Sequence, residues 1–152
     1  MSDLRDLYQE VIFDHNKRPR NFRKPEGYNR RAEGYNALCG DRLTVYLRIE
    51  DGRVEDVGFE GSGCAISTAS ASMMTESLKG KTEEQARRLF DSFHEMVTTH
   101  TGEACAVEAP TLGKLTVFAG VRDYPARVKC ATLCWHTASA AMDNVQQPVS
   151  TE

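Results

Sequence analysis

Long apolar runs are missing from this sequence. No stretch approaches the ~20 consecutive apolar residues that a membrane-spanning helix requires. The first residues, Met1 to Asp6, carry mixed charge and contain no apolar segment. We therefore expect no membrane span and no secretory signal, and we expect the chain to be cytoplasmic. Because thiols stay reduced in the cytoplasm, the five cysteines indicate metal or sulfur chemistry and not a disulfide framework.

An excess of charge of one sign is missing too. The formal net charge is −3 over 152 residues, with no long run of lysine and arginine, which argues against nucleic acid as the main partner. The local exception is the basic segment 17–24. Two interpretations of this segment stay open, namely a solvated stretch after a helix or a docking patch for an acidic partner.

Internal repeats and linkers are also absent, and 152 residues are enough for one domain with one core. Apolar periodicity predicts helices at about residues 3–16, 64–79 and 125–144. A capping box of Thr82 and Gln85 predicts one more helix after it. The polar stretch 21–35 is expected to be an irregular connection.

Strand signals are confined to a small part of the chain. Alternating apolar residues predict two strands at 43–49 and 53–60, joined by the two-residue hairpin turn Asp51-Gly52. Because Val54 is out of phase with the return strand, we expect a β-bulge near the turn. A short extended piece is also expected at 115–118.

The predicted fold class is therefore α+β, with a small antiparallel sheet packed against helices. We expect one compact domain over residues 1–145, with a metal site at one end. The tail 146–152 is expected to be disordered.

The sequence has no Cys-x-x-Cys pair, yet three of its cysteines and one aspartate fall where elements begin or end. Cys39 and Asp41 flank a glycine just before a strand, Cys64 begins a helix, and Cys130 lies near the start of the last helix. Thiolates are the ligands that Zn²⁺ and iron–sulfur clusters prefer, and an aspartate oxygen makes a more labile site than four sulfurs. The positive end of each helix is expected to favour the thiolate form of Cys64 and Cys130.

Other interpretations of these residues stay open. Separations of 25 positions between Cys39 and Cys64, and of 66 between Cys64 and Cys130, match no local zinc motif, so all three could be ordinary buried cysteines. Cys134 lies one helical turn after Cys130 and is expected to be a packing residue, and Cys105 is expected to be incidental. The chain's histidines could pair with a cysteine as a nucleophile, but no third group orients one, so we expect them at the surface or its boundary.

An N-terminal signature and three motifs, each with a candidate ligand, follow one another in the chain: Leu7-Tyr8-Gln9-Glu10-Val11-Ile12 with Asp14-His15 and Pro19-Arg20-Asn21; Cys39-Gly40-Asp41; Gly63-Cys64-Ala65-Ile66-Ser67 with Ala69-Ser70; and Lys129-Cys130-Ala131-Thr132-Leu133 with Trp135. Together these residues resemble a known family, the U-type iron–sulfur cluster assembly proteins, over nearly the whole chain. The chain is more similar to the SufU branch than to the IscU branch. Lys129 stands where IscU-type scaffolds carry a histidine ligand, and an insertion within about 91–120 resembles that of SufU.

This resemblance implies a SufE/IscU-like fold and a zinc site formed by Cys39, Asp41, Cys64 and Cys130. It implies that Cys39 is the nucleophile that accepts persulfide sulfur from a pyridoxal-phosphate (PLP)-dependent cysteine desulfurase and relays it to downstream iron–sulfur scaffold proteins. The chain would then be a sulfurtransferase-like carrier and not a stand-alone enzyme. The alternative is a scaffold on which a [2Fe–2S] cluster is assembled and passed to apo-proteins.

Overall fold

A computed structural model gives the architecture of the protein. It describes residues 2–36, 40–98, 115, 117–118, 121, 124–144 and 149–150. The helices are α1 (Ser2–Lys17), α2 (Ala65–Leu78), α3 (Glu83–Thr98) and α4 (Pro125–Met142), and the strands are β1 (Arg30–Asn36), β2 (Asp41–Glu50), β3 (Arg53–Ser62) and β4 (Val149–Ser150). None of the helices in these ranges is both long and apolar enough to cross a membrane.

The four strands form one sheet in the order β3-β2-β1-β4. The first three are antiparallel, whereas β4 pairs with β1 in parallel. The prediction of a small antiparallel sheet packed against helices is confirmed. The apolar core lies between the helices and the sheet face that carries Val45, Leu47, Val57 and Phe59, all of which are buried.

The β2–β3 hairpin follows the sequence prediction. Asp51 and Gly52 both have positive φ, 53° and 74°, as a tight two-residue hairpin turn requires. The predicted bulge is confirmed, because Arg48 pairs with Asp56 whereas Ile49 pairs with Val54. This shift returns the Val54 side chain to the core, where it is fully buried.

Strand β1 corrects the prediction that 21–35 is an irregular connection. Its inward-facing residues are Ala32, Gly34 and Asn36, which give no apolar alternation and therefore no strand signal. Small residues are needed here because α4 packs directly on this strand. A Cβ atom at Gly34 would lie 2.1 Å from Thr137 Oγ1 and 3.1 Å from Leu133 Cδ1.

Two further expectations need correction. Leu115, Val117 and Phe118 lie in 3₁₀ turns and not in an extended piece, and Leu115 and Phe118 are buried, so packing of their side chains decides the conformation. In the tail expected to be disordered, Val149 and Ser150 pair with Gly34 and Tyr35. That edge of β1 offers backbone hydrogen-bonding groups that β2 does not use.

The helices begin where the sequence predicts. Thr82 and Gln85 exchange hydrogen bonds of 3.0 and 3.1 Å, which confirms the capping box before α3. Pro125 occupies the first turn of α4, where its missing N–H costs nothing. α3 packs on α4 through Phe93, which stacks on Trp135 with ring centroids 4.8 Å apart.

Small residues along α2 allow it to pack closely on α4. Ser67, Ala69, Ser70, Ala71 and Ser72 are all buried. Ser70 Oγ donates a hydrogen bond of 2.6 Å to the backbone oxygen of Ala131 in α4. On the other side of α2, Ser72 Oγ accepts from the backbone N–H of Arg20 at 2.8 Å and lies 2.7 Å from Nδ1 of the buried His15 in α1.

Replacing Gly34 with alanine should destabilise the domain by about 1–3 kcal/mol, because the new methyl group overlaps Thr137. The free energy of unfolding measured in urea tests this expectation. Thr137→Ala removes the overlapping hydroxyl, so the double variant should lose less stability than the two single changes added together. Strict additivity would contradict the proposed contact between β1 and α4.

Candidate metal centre

Three of the four predicted ligands come together at one end of the sheet. Asp41 is the first residue of β2, Cys64 is the N-cap of α2, and Cys130 is the sixth residue of α4. One carboxylate oxygen and the two sulfur atoms all lie within 4.8 Å of one another. Cys39 lies outside the described residues, separated from Asp41 in the chain by Gly40 alone.

Cys64 is positioned by the start of α2. Its backbone is extended, and its Sγ accepts a hydrogen bond from the backbone N–H of Ser67 at 3.4 Å. Hydrogen bonding with the Cys130 thiol, and then with the N–H groups of Ser67 and Ile66, lowers the pKa of Cys64 to about 6, although burial and the charge of Asp41 oppose this. The Cys64 thiol therefore ionises more readily than an ordinary cysteine, and the share contributed by the Ser67 and Ile66 N–H groups agrees with its place at a helix N-terminus.

Asp41 is buried, with 2% of its surface exposed. Its Oδ1 accepts a hydrogen bond of 2.8 Å from the backbone N–H of Cys64, which joins the start of β2 to the start of α2. Gly63 makes this approach possible, since a Cβ atom there would lie 2.6 Å from Asp41 Oδ1. Gly40 has a φ of 72°, in the region that glycine favours, so the chain can turn sharply into β2.

Cys130 differs from expectation in how its sulfur is stabilised. The influence of a helix N-terminus is confined to the first turn, and the sixth residue of α4 lies beyond it. Instead, Nδ2 of the buried Asn36 lies 3.5 Å from Cys130 Sγ and 3.3 Å from Asp41 Oδ2, as a donor to both. Sequence reasoning missed Asn36 because β1 itself went undetected, and a lone asparagine three positions before a cysteine carries no recognisable signal.

This arrangement fits a metal ion such as Zn²⁺. Two thiols and a carboxylate are the donor types that zinc takes, and grouping them without a cation would bring negative charges close together. Cys64 is partly buried, but Gly40 beside Asp41 and Gly63 beside Cys64 are exposed, so the cluster opens to solvent on one side. Such an opening is typical of sites that exchange a ligand and not of closed structural sites. The same donors also suit an iron–sulfur cluster.

Cys134 does not join the cluster among the described residues. Its Sγ lies 3.4 Å from Ser70 Oγ, and complete burial raises its pKa to about 12. It therefore stays a neutral thiol and packs in the core, as the sequence predicts. Cys105 lies outside the described residues.

Of the described histidines, His94 and His136 lie at the boundary as expected, whereas His15 does not. His15 is buried between α1 and α2. His94 and His136 lie against Phe90, with their own ring centroids 5.6 Å apart, and burial followed by the charge of His94 lowers the pKa of His136. His100 lies outside the described residues.

The basic segment 17–24 is partly neutralised within the domain. Arg20 Nη2 lies 2.7 Å from Asp14 Oδ2, and Arg23 Nη2 lies 3.0 Å from Asp56 Oδ1. These arginines are therefore committed to internal ion pairs, which favours the solvated interpretation over the docking patch.

Comparison with known proteins identifies the family of this chain. The sequence model of the NifU-like N-terminal domain matches residues 7–131, a span that contains all four predicted ligands. The chain belongs to this family. It is thus a member of the U-type proteins whose relatives carry the names IscU and SufU.

Three relatives illustrate the similarity. The iron–sulfur cluster assembly scaffold protein IscU of Streptococcus pyogenes serotype M1 is 38% identical over 93% of this chain and 86% of its own length. The zinc-dependent sulfurtransferase SufU of Bacillus subtilis is 40% identical over 88% of both chains. The crystal structure of an iron–sulfur cluster assembly scaffold protein for the SUF system from Fervidobacterium islandicum AW-1 superposes with a TM-score of 0.80 at 35% identity, covering 88% of this chain and 94% of that one.

Replacing Gly63 with alanine should weaken zinc binding by about tenfold or more, because the added methyl group displaces the Asp41 carboxylate that orients the site. Competition with a chromophoric chelator measures this affinity. Gly52→Ala is the control for a loss of stability away from the cluster. A Cβ there meets nothing within 4 Å, but the φ of 74° strains alanine, so this variant should lose stability and keep its zinc affinity. Equal affinities for the Gly63→Ala variant and the unmodified protein would contradict the close approach of Gly63 to Asp41.

Proposed function

We propose that this protein is a zinc-dependent sulfur acceptor in iron–sulfur cluster assembly. It accepts persulfide sulfur from a PLP-dependent cysteine desulfurase and relays it to downstream scaffold proteins. The observation that carries this proposal is the convergence of Asp41, Cys64 and Cys130 directly beside the chain segment that bears Cys39.

The proposed ligand set is Cys39, Asp41, Cys64 and Cys130. Bound zinc would keep the thiols deprotonated near neutral pH. Asp41 is anchored in β2, Cys64 at the start of α2 and Cys130 in the second turn of α4, so these three residues form the rigid part of the site. Cys39 lies between β1 and β2, and it is the residue that we assign as nucleophile.

The proposed reaction is thiol–persulfide exchange. The Cys39 thiolate attacks the terminal sulfur of the persulfide carried by the desulfurase cysteine. A new S–S bond forms on Cys39, the S–S bond of the donor breaks, and the donor cysteine leaves as a thiolate. No electrons are gained or lost in total, so the step requires no external oxidant or reductant.

Two features of the site and one sequence similarity support this role over simple structural metal binding. The carboxylate ligand makes the site more exchangeable than four thiolates would. The exposure of Gly40 and Gly63 beside the partly buried Cys64 gives a partner access to one side of the cluster. The similarity to a protein named zinc-dependent sulfurtransferase SufU, at 40% identity, matches both the metal and the chemistry proposed here.

Replacing Cys39 with alanine should abolish both sulfur loading and stimulation of desulfurase turnover, because no other thiolate is assigned to attack the donor persulfide. Incubation with desulfurase and free cysteine, followed by mass spectrometry of the intact protein, would detect an added sulfur atom. Sulfide release from the same reaction measures turnover.

Cys134→Ala is the matched control, because Cys134 is a core thiol outside the cluster. This variant should load sulfur and stimulate turnover like the unmodified protein. Persistent loading of the Cys39→Ala variant would refute the assignment of the nucleophile. Loss of fold on zinc removal, with no sulfur loaded on any variant, would instead indicate a purely structural zinc site.

A second candidate function is a scaffold for [2Fe–2S] assembly, with the cluster as cargo. Its specific support is the similarity to a protein named iron–sulfur cluster assembly scaffold protein IscU, at 38% identity over 93% of this chain. The same three thiolates and Asp41 could ligate a cluster, and a weakly held carboxylate ligand would favour its release.

Anaerobic reconstitution with iron and sulfide distinguishes the two functions. For a sulfur acceptor we expect the protein to retain colourless zinc and to develop no stable visible absorption, because zinc competes well for thiolate-rich sites. A stable chromophore that survives desalting and transfers to an apo-ferredoxin would overturn the acceptor role in favour of the scaffold. The zinc content of gently purified protein provides the starting reference.

A further inference from the structure

Asn36 is a buried polar residue that faces the candidate metal centre. It is the last residue of β1, its Cα pairs with that of Asp41 across the sheet, and its surface is 0% exposed. We propose that Asn36 is a positioning residue, whose side-chain amide holds the Asp41 carboxylate and the Cys130 sulfur in the geometry that binds the metal. This inference rests on the metal site of the proposed function but not on the sulfur-transfer step.

The hydrogen bonds of Asn36 identify its role. Nδ2 lies 3.3 Å from Asp41 Oδ2 and 3.5 Å from Cys130 Sγ. Both atoms are acceptors that carry negative charge when they ligate a metal. Two N–H groups on one nitrogen can therefore serve two ligands at once, while leaving other lone pairs of each ligand atom to face the cation.

The stability of the fold does not account for this asparagine. Asn36 Oδ1 is buried and has no hydrogen-bond donor among the described residues. Burying an amide oxygen without a partner costs about 1–3 kcal/mol, so an apolar residue of the same size would suit the core at least as well. The amide oxygen thus gains no hydrogen bond among the described residues, whereas the N–H groups reach two candidate ligands.

The position of Asn36 also makes it a rigid support. Strand β1 is held by β2 on one side and β4 on the other, and α4 packs against Gly34 two residues away. Groups that orient metal ligands act best from such rigid elements, because they then fix the ligand before the ion arrives. Asn36 lies in β1 and contacts Asp41 in β2 and Cys130 in α4. It therefore links β1 to the two elements that supply these candidate ligands.

Asn36→Leu tests the proposal, since leucine branches at the same carbon as asparagine and lacks its N–H donors, although it is larger. Zinc affinity is measured by chelator competition, and the sulfur-to-metal absorption bands of the Co²⁺-substituted protein report on ligand geometry. We expect zinc binding to weaken by about 10- to 100-fold and the cobalt spectrum to change. The metal-free protein should still fold, although the loss of two buried hydrogen bonds lowers its stability.

Asn29→Leu is the matched control, because Asn29 lies at the opposite end of β1. Its amide exchanges hydrogen bonds of 2.8 and 2.9 Å with the backbone of Ile49, away from the cluster. This variant should lose stability yet keep the zinc affinity and cobalt spectrum of the unmodified protein. Asn36→Ala, measured in the same way, covers the case in which leucine does not fit.

The outcomes separate clearly. Zinc affinity within twofold of the unmodified protein for both Asn36 variants would overturn the proposal. So would equal weakening by Asn29→Leu, or failure of both Asn36 variants to fold without metal, since the amide would then be structural. No desulfurase enters these measurements, so a failure of sulfur transfer to Cys39 would leave this result unaffected, and a negative result here would leave the proposed function standing.

Discussion

The close packing of α2 on α4 is the constraint on which the candidate metal centre depends. Ser70 Oγ reaches the backbone oxygen of Ala131 at 2.6 Å, a distance that only small side chains between the helices permit. Cys64 caps the first of these helices, and Cys130 directly precedes Ala131 in the second. The separation of the two sulfurs is therefore set by backbone packing in the core, and not by the conformation of a surface loop.

The sheet supplies the third described residue of the candidate site. Asp41 is the first residue of β2, and its carboxylate accepts a hydrogen bond from the backbone N–H of Cys64. This bond fixes the start of β2 against the start of α2. Ligands drawn from separate elements meet only in the folded domain, which couples metal binding to folding. The exposed glycines beside the cluster then leave one direction open, and the buried side carries the amide of Asn36.

The parts of this architecture with local sequence signals were predictable. The hairpin at Asp51-Gly52, the bulge at Val54 and the capping box at Thr82 all follow from short-range rules. Strand β1 was not predictable, because its inward residues do not show the apolar alternation of a strand. They are instead small where α4 packs on the strand and polar where the strand faces the candidate site. Helix positions and motifs indicated Asp41, Cys64 and Cys130 as a group, whereas Asn36 became visible only through the pairing of β1 with β2.

Strand β4 has a consequence for the integrity of the sheet. An unpaired strand edge is a template for association with another chain, and proteins commonly cover such edges. Here Val149 and Ser150 occupy the free edge of β1, the same strand that ends at Asn36. The C-terminal segment thus covers the edge of β1 at Gly34 and Tyr35, and a truncation or fusion made before residue 149 would leave those backbone groups open to pairing with another chain.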